Sequence, residues 1–197
     1  AAGKQQAMRL DLLADRPDDA MRPFQIWRHT VGTPASADVL VFQEDDERFY
    51  VSVDRTRSGR YVVIASASKT TSEVWLLPTA DPTATLQVVE PRVKDHEYHV
   101  EHHEGPAGDR LFVLSNADGA ENFALLVTPT ATPGRAQWQE VLPARADVRL
   151  DDVDAFARHL VVSERDGGLE HLRVLELADD GSVAGDHVVA MPDEVYS

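Results

Sequence analysis

The chain has 197 residues, of which 43% are hydrophobic and 27% are charged, as in ordinary globular proteins, and it contains no cysteine. The lack of cysteine excludes disulfides, cysteine metal ligands and thiol nucleophiles. The net charge of −15 disfavours nucleic acid as a partner and favours cationic ligands. No apolar run is long enough to span a membrane and no signal-peptide pattern opens the chain, so we expect a cytoplasmic protein.

A pattern of roughly fifty residues recurs along the chain, and a repeat of this length is typical of propeller blades. The first copy, residues 10–42, is weak and partial. It has predicted strands at Gln25–His29 and Val39–Phe42, and residues 5–14 fit either a helix or a further strand.

The three later copies, residues 49–90, 98–142 and 149–191, each contain four predicted strands. The first strands are Phe49–Val53, Tyr98–His102 and Arg149–Val153, and the second strands are Tyr61–Ile64, Leu111–Leu114 and Leu160–Val162. The third strands are Glu73–Leu77, Phe123–Val127 and Leu172–Leu177, and the fourth strands are Leu86–Val89, Trp138–Leu142 and His187–Met191. The second strands are continuously apolar, which indicates sheets that are covered on both faces.

This pattern predicts an all-β fold, a partial β-propeller with about three complete four-stranded antiparallel blades and one partial blade in a single incomplete domain, residues 1–197. Residues 194–197 fit the start of a further blade. Propellers close with about four to eight blades, so we expect the chain to be part of a larger protein. Its uncovered end blades predict self-association.

The order of short motifs from residue 22 onward resembles the N-terminal propeller of the oligopeptidase B (protease II) branch of the prolyl oligopeptidase family, whereas residues 1–21 match poorly. The most specific block is Asp118–Phe123. The remaining matching segments are Arg22–Pro23, Trp27–His29, Gly32–Thr33, Glu44–Phe49, Ser58–Tyr61, Thr71–Glu73, Glu97–Tyr98, Val100–His102, Asn116, Arg149–Leu150, Asp152–Val153, His159–Val162, Glu164–Arg165 and Tyr196–Ser197.

The resemblance implies a seven-bladed propeller that covers an α/β-hydrolase domain and admits short peptides, which the enzyme cleaves after Arg or Lys. It also implies that the catalytic Ser, Asp and His lie on the hydrolase domain, outside this chain. The expected partners are therefore that hydrolase domain and short basic peptides, with no nucleic acid and no membrane. The function predicted for the chain is a noncatalytic, access-controlling part of a serine protease.

The residues themselves offer no catalytic, cofactor-binding or metal site that we favour, and no cofactor is predicted. The turn at Gly181–Gly185 has its serine at the wrong position for a nucleophile elbow, and Ser66–Lys69 closes a strand instead of opening a helix. Two candidate surfaces remain. The acidic segment Glu44, Asp45, Asp46 and Glu47 is a candidate for steering cationic peptides, or a solvated loop.

The second candidate is an alternating set, His99, Glu101 and His103, on one face of a predicted first strand. Such a set can line a wet channel, and two imidazoles with a carboxylate can also hold zinc, so a metal-dependent enzyme is a distant alternative. A free-standing propeller-like interaction module without enzymatic activity is the other alternative.

Overall fold

The computed structural model of the chain describes residues 22–191, which form β-strands with three one-turn 3-10 helices at Ala35–Ala37, Ala117–Gly119 and Arg135–Gln137. Sheet I contains β1 (Gln25–Arg28) and β2 (Val39–Gln43). Sheet II contains β3 (Tyr50–Arg55), β4 (Tyr61–Ala67), β5 (Ser72–Pro78) and β6 (Gln87–Val88). Sheet III contains β7 (Tyr98–Gly105), β8 (Gly108–Ser115), β9 (Ala124–Pro129) and β10 (Gln139–Leu142). Sheet IV contains β11 (Val148–Phe156), β12 (His159–Asp166), β13 (Leu169–Leu177) and β14 (Val183–Val188).

The three four-stranded sheets are antiparallel meanders in chain order, and neighbouring sheets pack against each other. Their first strands, β3, β7 and β11, form one edge of each sheet, and β7 contacts β11 directly. This edge is the axial side of a propeller. The architecture confirms the predicted partial β-propeller.

The two ends of the sheets differ in what connects the strands. The loop face carries the connections between sheets, residues 44–49, 89–97 and 143–147. The hairpin face carries the turns between first and second strands, residues 56–60, 106–107 and 157–158.

The middle of each second strand is apolar, and on β4 both faces of that apolar run are covered. On β4, Val62 and Ile64 pack against Ile26 of sheet I, whereas Val63 packs on the cluster that contains Tyr98 of sheet III. Each fully buried side chain of this size contributes about 1.5–3 kcal/mol to stability. The propeller is therefore held together mainly by the apolar layers between sheets.

The block Asp118–Phe123 forms a corner that joins sheet III to the following loop. The Asn122 amide donates to the backbone oxygens of Arg145 and Ala146, both at 2.9 Å. Phe123 is buried with a left-handed φ of 64°, a conformation that bulky residues rarely adopt. This turn conformation explains why β9 begins at Ala124 and not at the predicted Phe123.

The last strand lies earlier than predicted. The sequence predicted it at His187–Met191, but β14 spans Val183–Val188. In the turn before it, the Asp180 carboxylate accepts hydrogen bonds from the backbone N–H and the hydroxyl of Ser182, and Gly181 has a φ of 79°. This tight turn starts pairing with β13 at once, so the apolar run after Val188 is not the strand.

Residues 5–14, where the sequence fits a helix or a strand, and residues 194–197, where it fits the start of a blade, lie outside the described residues. Between residues 22 and 191 there is no helix long and apolar enough to cross a bilayer.

Candidate functional site

The axial strands carry a concentration of carboxylates. These are Asp54 on β3, Glu101 and Glu104 on β7, and Asp151, Asp152 and Asp154 on β11. All six are exposed or half-buried. The same strands carry two cations, Arg55 and Arg149, and Asp151 pairs with Arg149 and Arg165. The axial strands therefore keep an excess of negative charge, which attracts cationic groups.

The alternating set on β7 has three different environments. His99 is exposed, with its ring centroid 6.5 Å from that of Phe123. Glu101 is half-buried, and His103 is buried with Nε2 3.3 Å from the backbone oxygen of Ala157 in sheet IV. The set therefore runs from an exposed end at the loop face to a packed end at the hairpin face.

The Glu101 carboxylate is held by two backbone donors. It accepts hydrogen bonds from the N–H of His102, at 2.8 Å, and of Arg57, at 3.1 Å. Burial raises the pKa of Glu101 above its ordinary value, and the charge of Asp154 acts in the same direction. The Glu101 carboxylate thus binds the turn that carries Arg57.

Arg57 is a residue that the sequence analysis missed. It lies in the turn between β3 and β4, yet its guanidinium pairs with Asp154 on β11, where Nε is 2.9 Å from Oδ1 and Nη2 also contacts that oxygen. Its Cζ lies 4.6 Å from the ring centroid of Phe156. The hydrogen bonds to Asp154 raise the pKa of Arg57. One side chain of sheet II therefore reaches past sheet III to sheet IV.

Glu44 of the acidic segment is buried and fully engaged. Its carboxylate accepts hydrogen bonds from the Ser66 hydroxyl at 2.6 Å, the Arg92 guanidinium at 2.5 Å and the backbone N–H of Asp46 at 2.9 Å. Burial alone would raise the pKa of Glu44, but these hydrogen bonds outweigh it and lower the pKa. The role visible for Glu44 is to join the loop of sheet II to the next loop.

The rest of the segment faces solvent to different degrees. Asp46 is paired with Arg48, and hydrogen bonds from that side chain and its backbone lower the pKa of Asp46 to about 2. Asp45 and Glu47 are exposed. Asp46 and Glu47 line a cleft of about 790 Å³ in the loop face. Steering by this segment stays a prediction, and Asp45 and Glu47 are its accessible charges.

A polar contact near the loop-face end of the second strand recurs in each four-stranded sheet, and sequence reasoning missed this recurrence. Ser66, Ser115 and Glu164 occupy equivalent positions. Ser66 binds Glu44, the Ser115 hydroxyl lies 2.9 Å from Nε2 of His96, and Glu164 accepts from Arg145. In every case the partner belongs to the connection that precedes the sheet. We call these three contacts the loop tethers.

One serine, one histidine and one aspartate stand in a row at the hairpin face. Nδ1 of His102 is 2.8 Å from the Ser58 hydroxyl, and its Nε2 is 3.8 Å from the Asp109 carboxylate. His102 has no exposed surface, and the Asp109 distance is too long for a hydrogen bond. A substrate has no access to this imidazole, so the row is a packing arrangement and not a catalytic triad.

No group of three His, Cys, Asp or Glu side chains with a metal-binding arrangement occurs between residues 22 and 191. The site as a whole is a negatively charged axial surface, crossed at the hairpin face by the Arg57 side chain.

Known proteins are similar to this chain in both sequence and fold. The family model described as prolyl oligopeptidase, N-terminal beta-propeller domain, matches residues 10–195. Dipeptidyl aminopeptidase BI of Pseudoxanthomonas mexicana is 36% identical over 183 residues, which cover 93% of this chain and 24% of that protein. Protease 2 of Moraxella lacunata is 34% identical, with 80% of this chain and 22% of that protein covered.

Solved structures agree. Oligopeptidase B from Trypanosoma brucei superimposes with a TM-score of 0.81 at 33% identity, over 88% of this chain and 24% of that one. Oligopeptidase B from Leishmania major gives the same TM-score at 28% identity, over 89% of this chain and 25% of that one. This chain spans about a quarter of the length of these relatives. It belongs to the prolyl oligopeptidase family, as an N-terminal β-propeller domain.

Proposed function

We propose that this chain is the noncatalytic propeller that controls peptide access in a serine oligopeptidase, and that the complete enzyme cleaves short peptides after Arg or Lys. The observation that carries the proposal is the carboxylate-rich axial surface of β3, β7 and β11. A peptide that passes along such a surface gains favourable electrostatic energy from each basic side chain. The names of the oligopeptidase B relatives support short peptides as the substrates.

The proposal assigns the catalytic serine, aspartate and histidine to an α/β-hydrolase domain outside this chain. The partners are that domain and short basic peptides, and the location is cytoplasmic. An isolated copy of the chain self-associates, because the outer face of sheet IV presents Val161, Leu172 and Val174 with no sheet packed across them among the described residues.

The test compares the isolated chain with the complete protein that contains it. Both are incubated with two matched fluorogenic peptide amides, one ending in arginine and one in proline. We expect the complete protein to cleave the arginine substrate faster and the isolated chain to cleave neither. Cleavage by the isolated chain would disprove the noncatalytic role. A complete protein that prefers proline would disprove the Arg/Lys assignment, and one that cleaves nothing would favour an interaction module.

A second candidate concerns the pattern of cleavage. The relative at 36% identity is named a dipeptidyl aminopeptidase, so the complete enzyme is alternatively one that releases dipeptides from peptide N-termini. Mass spectrometry of products from a peptide with one internal arginine separates the two. Cleavage only after arginine supports the first candidate, and successive loss of dipeptides supports the second.

A further inference from the structure

The turn of residues 56–60 is fixed to sheet III by its backbone and small side chains. The Ser58 hydroxyl contacts His102, and the Arg57 N–H donates to Glu101. Gly59, at a φ of 71°, allows the turn to close, and its oxygen accepts from Arg55. The position of the Arg57 Cα is thus set by β7, while its side chain is free to extend beyond β7.

The side chain extends to sheet IV and contacts it in two ways. The guanidinium donates to Asp154 through Nε and Nη2, and it stacks on the ring of Phe156. The two residues are separated by 97 positions in the chain. This contact has no counterpart in the other two hairpin turns, which have only two residues each, 106–107 and 157–158.

The contact is exposed, and its site holds more negative charge than Arg57 neutralises. The Arg57 side chain is 46% exposed and that of Asp154 is 41% exposed, so salt and water weaken their attraction. Glu101 and Asp152 also act electrostatically on Arg57. Another cation can therefore replace Arg57 at Asp154 without leaving a buried charge unpaired.

We propose that Arg57 is a latch at the hairpin-face end of the axial surface, and that a basic side chain of an entering peptide displaces it from Asp154 and Phe156. Arg57 then acts as a residue that determines which peptides gain access, and it takes no part in the chemical step. This inference rests on the proposed function, because it names the residue that regulates passage along the surface described there.

The first test uses the complete protein and measures kcat/KM for a series of arginine-containing peptides of increasing length. In Arg57→Gln, the ratio of kcat/KM for the longest to the shortest substrate should rise about two- to fivefold, the range that an exposed ion pair allows. The matched control is Arg60→Gln, which removes the same charge from the same turn but loses only a 3.9 Å contact with Glu104. The control ratio should stay at the wild-type value.

Reversing the charge of Arg57 provides a second test. Arg57→Asp should raise the ratio further, and the double variant Arg57→Asp with Asp154→Arg should bring it back toward wild type. Equal ratios in wild type and all variants, in an enzyme that cleaves the series, would overturn the latch while leaving the proposed function intact. A wild-type enzyme that cleaves no arginine peptide would overturn the proposed function instead.

The contact of Arg57 with Asp154 can also be tested without measuring peptide cleavage. The Arg57 Nε–H signal in nitrogen–proton NMR spectra of the chain should differ from that of Asp154→Asn, and argininamide should shift the wild-type signal toward the variant position. A wild-type signal that coincides with that of Asp154→Asn, or that argininamide leaves unmoved, would show that no displaceable latch exists.

Discussion

The loop tethers and the Arg57 contact at the hairpin face join the sheets in opposite ways. At the loop face, a contact with at least one buried partner recurs in every four-stranded sheet: Glu44 with Ser66, His96 with Ser115, and Glu164 with Arg145. At the hairpin face, the contact of Arg57 with Asp154 is half-exposed and occurs in one sheet. A contact that recurs with the repeat serves the blade architecture, whereas one confined to a single blade is a candidate for a function of this protein alone.

The loop tethers should account for the largest stability change. We expect Glu44→Ala to lower the free energy of unfolding by about 2 kcal/mol, because it removes charged hydrogen bonds to Ser66 and Arg92. Urea denaturation measures this change. Glu47→Ala is the control, since Glu47 is exposed in the same segment, and it should change the value by less than about 0.5 kcal/mol. Equal effects of the two substitutions would contradict the distinction between them.

The outer face of sheet IV tests whether a sheet without a partner behaves differently from the covered ones. Val174 is half-buried on this face, next to Val161 on the neighbouring strand. Val174→Lys should weaken self-association of the isolated chain about tenfold or more, because it places a charge in an apolar contact. Sedimentation or light scattering over a concentration series measures this change. A wild-type chain that stays monomeric throughout would contradict the prediction.

The tether at His96 should make stability depend on pH. Burial lowers the pKa of His96, and Arg135 adds to this effect; burial also lowers the pKa of His102. The unfolded chain therefore binds more protons than the folded chain below about pH 6.5. The contribution of the two neutral histidines to the free energy of unfolding is complete above that pH and is lost as the pH falls. The free energy of unfolding should therefore fall between about pH 7.5 and pH 5.5.

His96→Gln isolates the contribution of this histidine. Urea denaturation at the two pH values should show a smaller pH effect in the variant than in wild type. An unchanged difference would mean that other groups cause the pH dependence.

The hairpin face should give the smallest change in stability. Arg57→Gln should lower the free energy of unfolding by less than about 1 kcal/mol, and the difference from wild type should shrink at high salt, as for exposed ion pairs generally. Thermal or urea unfolding at low and high ionic strength measures this. A loss comparable to that of Glu44→Ala would place Arg57 among the structural tethers.

The sequence predicted those features that depend on neighbouring residues or that recur in each blade. The continuous apolar run on β4 predicted a strand covered on both faces, and its side chains do pack alternately on two neighbouring sheets. The same reasoning could not identify Glu44 as buried, because its partners Ser66 and Arg92 lie 22 and 48 residues away. Arg57 was missed for a similar reason, since its contact depends on how three sheets are arranged around the axis.

The most direct measurement compares one variant at each face of the propeller in the complete protein. It compares the ratio of kcat/KM for long and short arginine peptides in Glu44→Ala and Arg57→Gln, each at a temperature where the protein is folded. The account predicts that Arg57→Gln raises this ratio about two- to fivefold and that Glu44→Ala, although less stable, keeps the wild-type ratio. A ratio that follows stability instead, changed in Glu44→Ala and unchanged in Arg57→Gln, would contradict it.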